Sequence, residues 1–136
     1  MKLKLYKIED PIYLTNLGLL VGDKDKFNKY LDNLGVPKKH RATGIGYTIV
    51  WREGSIYLIW VSKLENAFNY GTLIHELRHF VDMVFASRGI PVNSGGGEVA
   101  GYYTGMLAFN ILRKTKLCVS LGSQKSGMKK KLSKKH

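Results

Sequence analysis

The segment from Thr72 to Ser87 constrains the fold more than any other part of this sequence. Apolar side chains recur along it at helical spacing, and Arg88-Gly89 followed by Pro91 is typical of a helix C-terminus. The apolar positions are Leu73, Leu77, Phe80, Val81, Val84 and Phe85. The pattern predicts a helix with one apolar side, which has to pack against other elements of the chain.

Chain length and composition set the remaining frame. The chain has 136 residues, of which 44% are hydrophobic and 24% charged, which is typical of one folded domain. The single cysteine, Cys118, excludes a disulfide scaffold and a Cys-rich zinc module, and it fits a reducing compartment. Residues 1–11 lack the apolar core of a signal peptide, and the weakly charged stretch Val99–Leu112 is too short to span a membrane. We therefore expect a cytoplasmic protein.

The first third of the chain predicts short strands and one helix. Residues 2–8 alternate between lysine and apolar side chains, and residues 12–20 are apolar and mixed, so one or two strands are expected. Asp23 is placed as the N-cap of a helix, because apolar residues follow it at helical spacing. Gly35-Val36-Pro37 ends that helix.

The clearest strand signal is a pair of segments, Gly44–Trp51 and Ser55–Val61, rich in Ile, Val, Tyr and Trp. Residues 52–54, Arg-Glu-Gly, separate them as a turn, so the sequence predicts a β-hairpin. The stretch Ile56–Val61 is apolar on both faces and is expected to be well covered.

A last helix is expected from Glu98 to Arg113, after a glycine-rich loop at residues 92–97. Gly97, Gly101 and Gly105 repeat every four residues along it. Since a helical glycine costs about 1 kcal/mol relative to alanine, we expect this glycine face to let another helix approach closely.

Residues 75–79 of the long helix read His-Glu-Leu-Arg-His, the HExxH pattern. Positions i and i+4 share a helix face, so the imidazoles of His75 and His79 can bind one Zn²⁺. Glu76 then lies beside the metal, where it can take a proton from water and deliver it to a leaving amine. The alternative is that both histidines are surface residues and that Glu76 pairs with Arg78 or Arg52.

A catalytic zinc site needs a third protein ligand, and four residues are available. Glu98 ranks first, because packing through the glycine face would bring it beside the two histidines. Asp82 is too close in sequence and is expected to be an ion-pair partner of Arg78. His40 lies in a basic connection and is expected to be solvated, and His136 is terminal.

The HExxH helix followed by Glu98 resembles the gluzincin division of the zincin metallopeptidases, over about residues 44–113. The short chain is most similar to minimal zinc peptidases encoded by bacteriophages and prophages, which would place it in a bacterial cytoplasm. The resemblance implies that His75, His79 and Glu98 bind one zinc ion and that Glu76 is the general base. The metzincin pattern is not met, because Asp82 and Phe85 occupy its glycine and third-ligand positions.

The resemblance also implies a fold and two further roles. The expected fold is α+β: a small zincin-like domain with a β-hairpin or small antiparallel sheet packed on the HExxH helix and a following glutamate-bearing helix. Zincins bind extended substrate along an edge strand, which Ile56–Val61 would match; the alternative is an ordinary core strand, and both can be true. Tyr102 is a candidate to donate to the oxyanion or to orient Glu98, although a packed core tyrosine is an equal alternative; Tyr103 and Tyr70 are weaker candidates.

The net charge of +12 is concentrated at one end. Nine of the 22 Lys and Arg lie at or after Arg113, which leaves residues 1–112 with 13 basic and 10 acidic side chains and a net charge of +3. We expect a peptidase domain at 1–121 and a disordered basic tail at 122–136, capable of non-specific contact with nucleic acid. Two alternative functions remain: a non-catalytic zinc-binding virion or assembly protein, and a nucleic-acid-associated protein that binds through this basic tail.

Overall fold

A computed structural model describes residues 2–91 and 96–115 of the chain. The fold is α+β, with one four-stranded sheet and three helices, as expected. In chain order the elements are β1 (Lys4–Ile8), β2 (Leu17–Val21), α1 (Lys24–Asn33), β3 (Gly46–Trp51), β4 (Ile56–Val61), α2 (Ala67–Ser87) and α3 (Gly96–Lys114). The predicted tail, and the boundary at residue 121, lie outside the described residues.

The strand order in the sheet is β1-β2-β4-β3. The β3–β4 hairpin is confirmed, and β1 and β2 form a second antiparallel pair. β2 pairs with β4 in parallel, however, so the sheet is mixed and the prediction of an antiparallel sheet is wrong for this pair. The parallel pair is possible because α1 and β3 return the chain across the sheet between the two strands.

The position of β4 corrects the predicted substrate strand. Ile56–Val61 is hydrogen-bonded to β2 on one side and to β3 on the other, so it is not an edge strand. Its side chains are covered on both faces, as expected: Leu58 and Trp60 pack toward α1, and Ile59 and Val61 pack toward α2. The edge beside α2 is β3.

The sheet divides the core into two layers. On one face, the Phe27 ring of α1 stacks on Trp60 with ring centroids 5.3 Å apart. On the other face, α2 and α3 bury a larger apolar cluster that includes Leu77, Phe80 and Leu107. The HExxH helix is thus fixed against β3 and β4 along its apolar side.

Helix α2 begins at Ala67, five residues before the predicted start. Asn66 caps it: the Asn66 side chain accepts from the Asn69 N–H at 2.9 Å, and the Asn69 side chain accepts from the Asn66 N–H at 3.2 Å. This reciprocal cap satisfies two main-chain donors of the first turn. The predicted C-terminus is confirmed, since the helix ends at Ser87 and Gly89 adopts a φ of 66°.

Helix α3 lies where it was expected, but the predicted role of its glycine face is wrong. The face that packs carries Ala100, Tyr103, Leu107 and Ile111. Nothing lies within 4 Å of a Cβ built on Gly101 or Gly105, so these glycines are on the solvent-facing side of α3. The reason is that burying three large side chains stabilises a helix contact far more than a stripe without side chains.

Within residues 2–91 and 96–115, no helix has the length and apolar character that crossing a bilayer requires.

Asp23 is confirmed as the N-cap of α1, where its carboxylate accepts from the Lys26 N–H at 3.0 Å.

Candidate metal centre and active site

His75 and His79 lie on the solvent-facing side of α2, one turn apart. Both side chains are exposed, and their rings meet nearly at right angles, with an interplanar angle of 87°. The two Nε2 atoms are 3.0 Å apart. The structure therefore brings the predicted pair of ligands together.

This separation fits a shared metal ion. At about 2.05 Å from a tetrahedral zinc, two imidazole nitrogens stand about 3.3 Å apart. The observed Nε2···Nε2 distance of 3.0 Å, a hydrogen-bond contact between the two rings, is within a few tenths of an ångström of that value. His75 and His79 thus form a two-ligand clamp that a small adjustment of either ring would open to metal-binding geometry.

Glu76 is oriented differently from its neighbours in the motif. It is 8% exposed and lies between α2 and the edge strand β3. The Thr48 hydroxyl of β3 is 2.7 Å from Glu76 Oε1 and 3.0 Å from the Glu76 carbonyl oxygen. The carboxyl group is therefore held at the sheet edge rather than extended into solvent.

Strand β3 approaches this carboxyl group closely at Gly46. A Cβ built on Gly46 would be 2.9 Å from Glu76 Cγ, 2.9 Å from Thr72 Cγ2 and 3.0 Å from Glu76 Oε2. Any side chain at this position would collide with Glu76, so the close approach of β3 and α2 requires glycine. No hydrogen bond to Oε2 is found in the described part of the chain.

The edge of β3 beside α2 carries main-chain groups with no partner strand in the described sheet. The Ser62 N–H donates to the Ile45 carbonyl at 3.0 Å, and these two residues are opposite one another in the β3–β4 register. Since inward and outward bonding alternate along an antiparallel strand, the N–H and C=O of Gly46 and Thr48 point away from β4. The free edge thus begins beside Glu76.

An open groove of about 470 Å³ runs between the start of β3 and the first half of α2. Its walls are Ile45 and Phe68, both exposed, and Gly71 leaves its centre open. His75 and Glu76 line one end. The groove therefore offers room for an apolar side chain next to the motif.

A second groove, of about 500 Å³, lies on the opposite face of the sheet between β1, β2 and α1. The titratable side chains in its lining are Lys7, Glu9, Tyr30, Tyr57 and Lys114, with no histidine among them. This arrangement resembles an incompletely covered sheet face, whereas the groove at α2 is lined by His75 and Glu76.

Glu98, the predicted third ligand, is exposed in the first turn of α3. Within residues 2–91 and 96–115, no group of three His, Cys, Asp or Glu side chains is arranged to hold a metal ion, so Glu98 is not brought to the pair. The glycine-face packing that would have placed it there does not occur. Glu98 as a zinc ligand stays a prediction.

The other charged candidates have defined surroundings. Asp82 pairs with Arg78, with Arg78 Nε 3.4 Å from Oδ1, as predicted. Arg52 donates to the Ser87 carbonyl at 2.8 Å.

In the alternative to a metal site, both histidines are surface residues, and this part agrees with the structure, since both are exposed. Its second part is wrong: Glu76 is bonded to Thr48, and within the described residues no ion pair joins it to Arg78 or Arg52.

The tyrosine candidates differ sharply in burial. Tyr102 is 72% exposed on α3 and is not part of the groove, so its role as an oxyanion donor stays a prediction. Tyr103 is 1% exposed and donates to Asp10. Burial, and then the adjacent Asp10 carboxylate, raise the pKa of Tyr103 well above its usual value, which suits a structural hydrogen bond.

His40 lies away from α2, 3.4 Å from the Tyr47 hydroxyl.

Sequence reasoning missed Thr48 and Gly46. Both lie in the predicted hairpin, but nothing in the spacing of a strand indicates which of its side chains faces a glutamate 28 residues later. The one available signal was the glycine that begins β3, because glycine inside a strand marks a close approach of another group.

Comparison with protein-family models, with curated proteins and with solved structures finds no match to this chain.

Proposed function

We propose that this chain is a zinc-dependent peptidase. The observation that carries the proposal is the pair of imidazole Nε2 atoms 3.0 Å apart; Glu76, the residue after His75, is buried and lines an open groove together with His75. His75 and His79 would hold the ion, with Glu98 as the predicted third ligand. When bound, zinc supplies a Lewis acid that polarises the scissile carbonyl.

The chain's own residues provide the remaining steps. The free main-chain groups of Gly46 and Thr48 bind the backbone of an extended peptide, by addition of a strand to β3. Glu76 takes a proton from the attacking water and passes it to the leaving amine. The groove walled by Ile45 and Phe68 accepts an apolar substrate side chain.

Metal content tests the first half of the proposal. We expect about one zinc per chain in the purified wild type, and loss of that zinc in His75→Ala and His79→Ala. Glu98→Ala is expected to lose it as well, since a two-histidine site binds weakly. His40→Ala is the matched control, because it removes an imidazole that lies away from α2. Equal zinc content in all five proteins would contradict the metal site.

Peptide cleavage tests the second half. Glu76→Gln is expected to keep its zinc and to cleave a mixed peptide library at least about 100-fold more slowly, because the amide cannot accept the proton. A wild type that binds zinc stoichiometrically and cleaves nothing would favour the non-catalytic zinc protein instead.

A further inference from the structure

We infer that Thr48 is the positioning residue of Glu76: its hydroxyl occupies Oε1 and leaves Oε2 as the oxygen that accepts the proton. This inference rests on the proposed peptidase function. It concerns a residue on a different element from the motif, joined to it only by the packing of β3 on α2.

Thr48 holds Glu76 at two points. The hydroxyl lies 2.7 Å from Oε1 and 3.0 Å from the carbonyl oxygen of the same residue, and both groups are buried. The carbonyl belongs to the helix and the carboxyl to the side chain. The hydroxyl has a single hydrogen, and the shorter distance to Oε1 indicates that it is donated mainly to the carboxylate, which sets the rotamer of Glu76.

Gly46 restricts the carboxyl group from the other side. Because Gly46 and Thr48 are two residues apart on one strand, they face α2 together. A Cβ at Gly46 would lie 2.9 Å from Glu76 Cγ and 3.0 Å from Oε2, so the carboxyl group occupies space that only glycine leaves open. We call Thr48 and Gly46 the cradle of Glu76; Gly46 and Glu76 line the groove together with His75.

The pattern is not what packing alone requires. A buried hydroxyl costs free energy unless it is hydrogen-bonded, and valine has the same shape without this cost. Here Oε1 has a donor, and Oε2 has none in the described part of the chain.

The proton balance then assigns each oxygen a task. As the oxygen of water forms its bond to the scissile carbon, one O–H bond of that water breaks and the proton passes to Oε2. When the C–N bond breaks, the same proton moves from Oε2 to the leaving amine and the carboxylate is restored. Throughout, the Thr48 hydroxyl stays on Oε1 and keeps Oε2 aimed at the reacting atoms.

The kinetic test uses Thr48→Val, Thr48→Ser and the matched control Thr104→Val, which removes a hydroxyl bonded only to the Ala100 carbonyl on α3. We expect Thr48→Val to lower kcat about tenfold, with KM within about twofold, because a hydrogen bond to a charged group is lost from the reacting geometry. Thr48→Ser should recover kcat to within about threefold, and Thr104→Val should leave it unchanged. Zinc content should be equal in all four proteins.

A second measurement does not depend on catalysis. In crystal structures of the metal-free proteins, Glu76 should leave its position against β3 in Thr48→Val and keep it in Thr48→Ser. If the wild type cleaves peptides and Thr48→Val has wild-type kcat, or if Glu76 stays in place without the hydroxyl, the inference is overturned while the peptidase function stands. A wild type with no cleavage overturns both.

Discussion

Two buried carboxylates among the described residues differ in how they are hydrogen-bonded. Asp10 and Glu76 are 6% and 8% exposed, so burial does not distinguish them. Asp10 accepts from three main-chain N–H groups in loop 12–15 and from the hydroxyls of Thr15 and Tyr103. Its full complement of donors ties the β1–β2 loop to α3.

Glu76 has a single side-chain donor, Thr48, and its second oxygen borders an open groove. A fully bonded carboxylate is a structural element, because every donor aimed at it stabilises the ionised form in one place. A carboxylate with one bonded oxygen and one available oxygen is oriented but still reactive. The number of donors, and not the depth of burial, separates the two roles.

The largest effect on stability is expected at Asp10. Asp10→Asn should lower the free energy of unfolding by about 3 kcal/mol, because an amide group presents hydrogens to donors that had faced a carboxylate. Glu76→Gln, the same chemical change at the other site, should lower it by less than about 1 kcal/mol. Urea unfolding of both variants measures the difference, and equal losses would remove the distinction between the two carboxylates.

A smaller effect is expected from Gly46→Ala, which sharpens the comparison by filling the space around Glu76 alone. The added methyl group would meet Glu76 Cγ and Thr72 Cγ2 at 2.9 Å, so strand and helix must move apart. We expect a loss of about 1–2 kcal/mol in stability and about tenfold in kcat. Gly101→Ala is the control, since its Cβ meets nothing within 4 Å and alanine favours a helix. Unaltered kcat in Gly46→Ala would show that the position of Glu76 does not depend on the space that glycine leaves beside it.

The smallest effect is expected from Tyr103→Phe, which removes one donor from Asp10. At neutral pH it should cost about 1 kcal/mol. Because the folded pKa of Tyr103 is raised above the unfolded value of about 10, this tyrosine contributes stability below pH 10 and loses it as the pH rises further.

Wild-type stability should therefore fall above pH 10 by up to about 1.4 kcal/mol per pH unit more steeply than that of Tyr103→Phe. Tyr102→Phe serves as the control, because that side chain is 72% exposed and its stability curve should match the wild type. Parallel alkaline curves for wild type and Tyr103→Phe would contradict the role given to the Asp10–Tyr103 bond.

The elements that the sequence predicted correctly are those set by local signals. The Asp23 cap, the hairpin turn between β3 and β4, and the glycine that ends α2 each act within a few residues. The HExxH pair is local in the same sense, since helical geometry alone places residues i and i+4 together. The start of α2 was missed because a reciprocal Asn66–Asn69 cap resembles a loop in composition.

Three further incorrect predictions concern contacts between distant segments. The parallel β2–β4 pair depends on where α1 returns the chain, which spacing does not reveal. Ile56–Val61 was assigned to an edge, although an apolar pattern on both faces already favours a central strand. The glycine repeat of α3 showed that one face lacks side chains, but it carried no information on whether that face was inside.

The residues of the candidate site lie close together along the chain as well as in space. Apart from the predicted ligand Glu98, they belong to one continuous stretch from Ile45 to His79, made of strand, turn, strand and helix. Closing the sheet requires Gly18 to pair with Leu58, whereas the cradle of Glu76 requires β3 to meet α2 across the intervening strand β4. The β2–β4 pair of the sheet therefore has the larger loop-closure entropy, and the β3–α2 contact around Glu76 has the smaller. The geometry around Glu76 is encoded in the part of the chain with the shorter sequence separations.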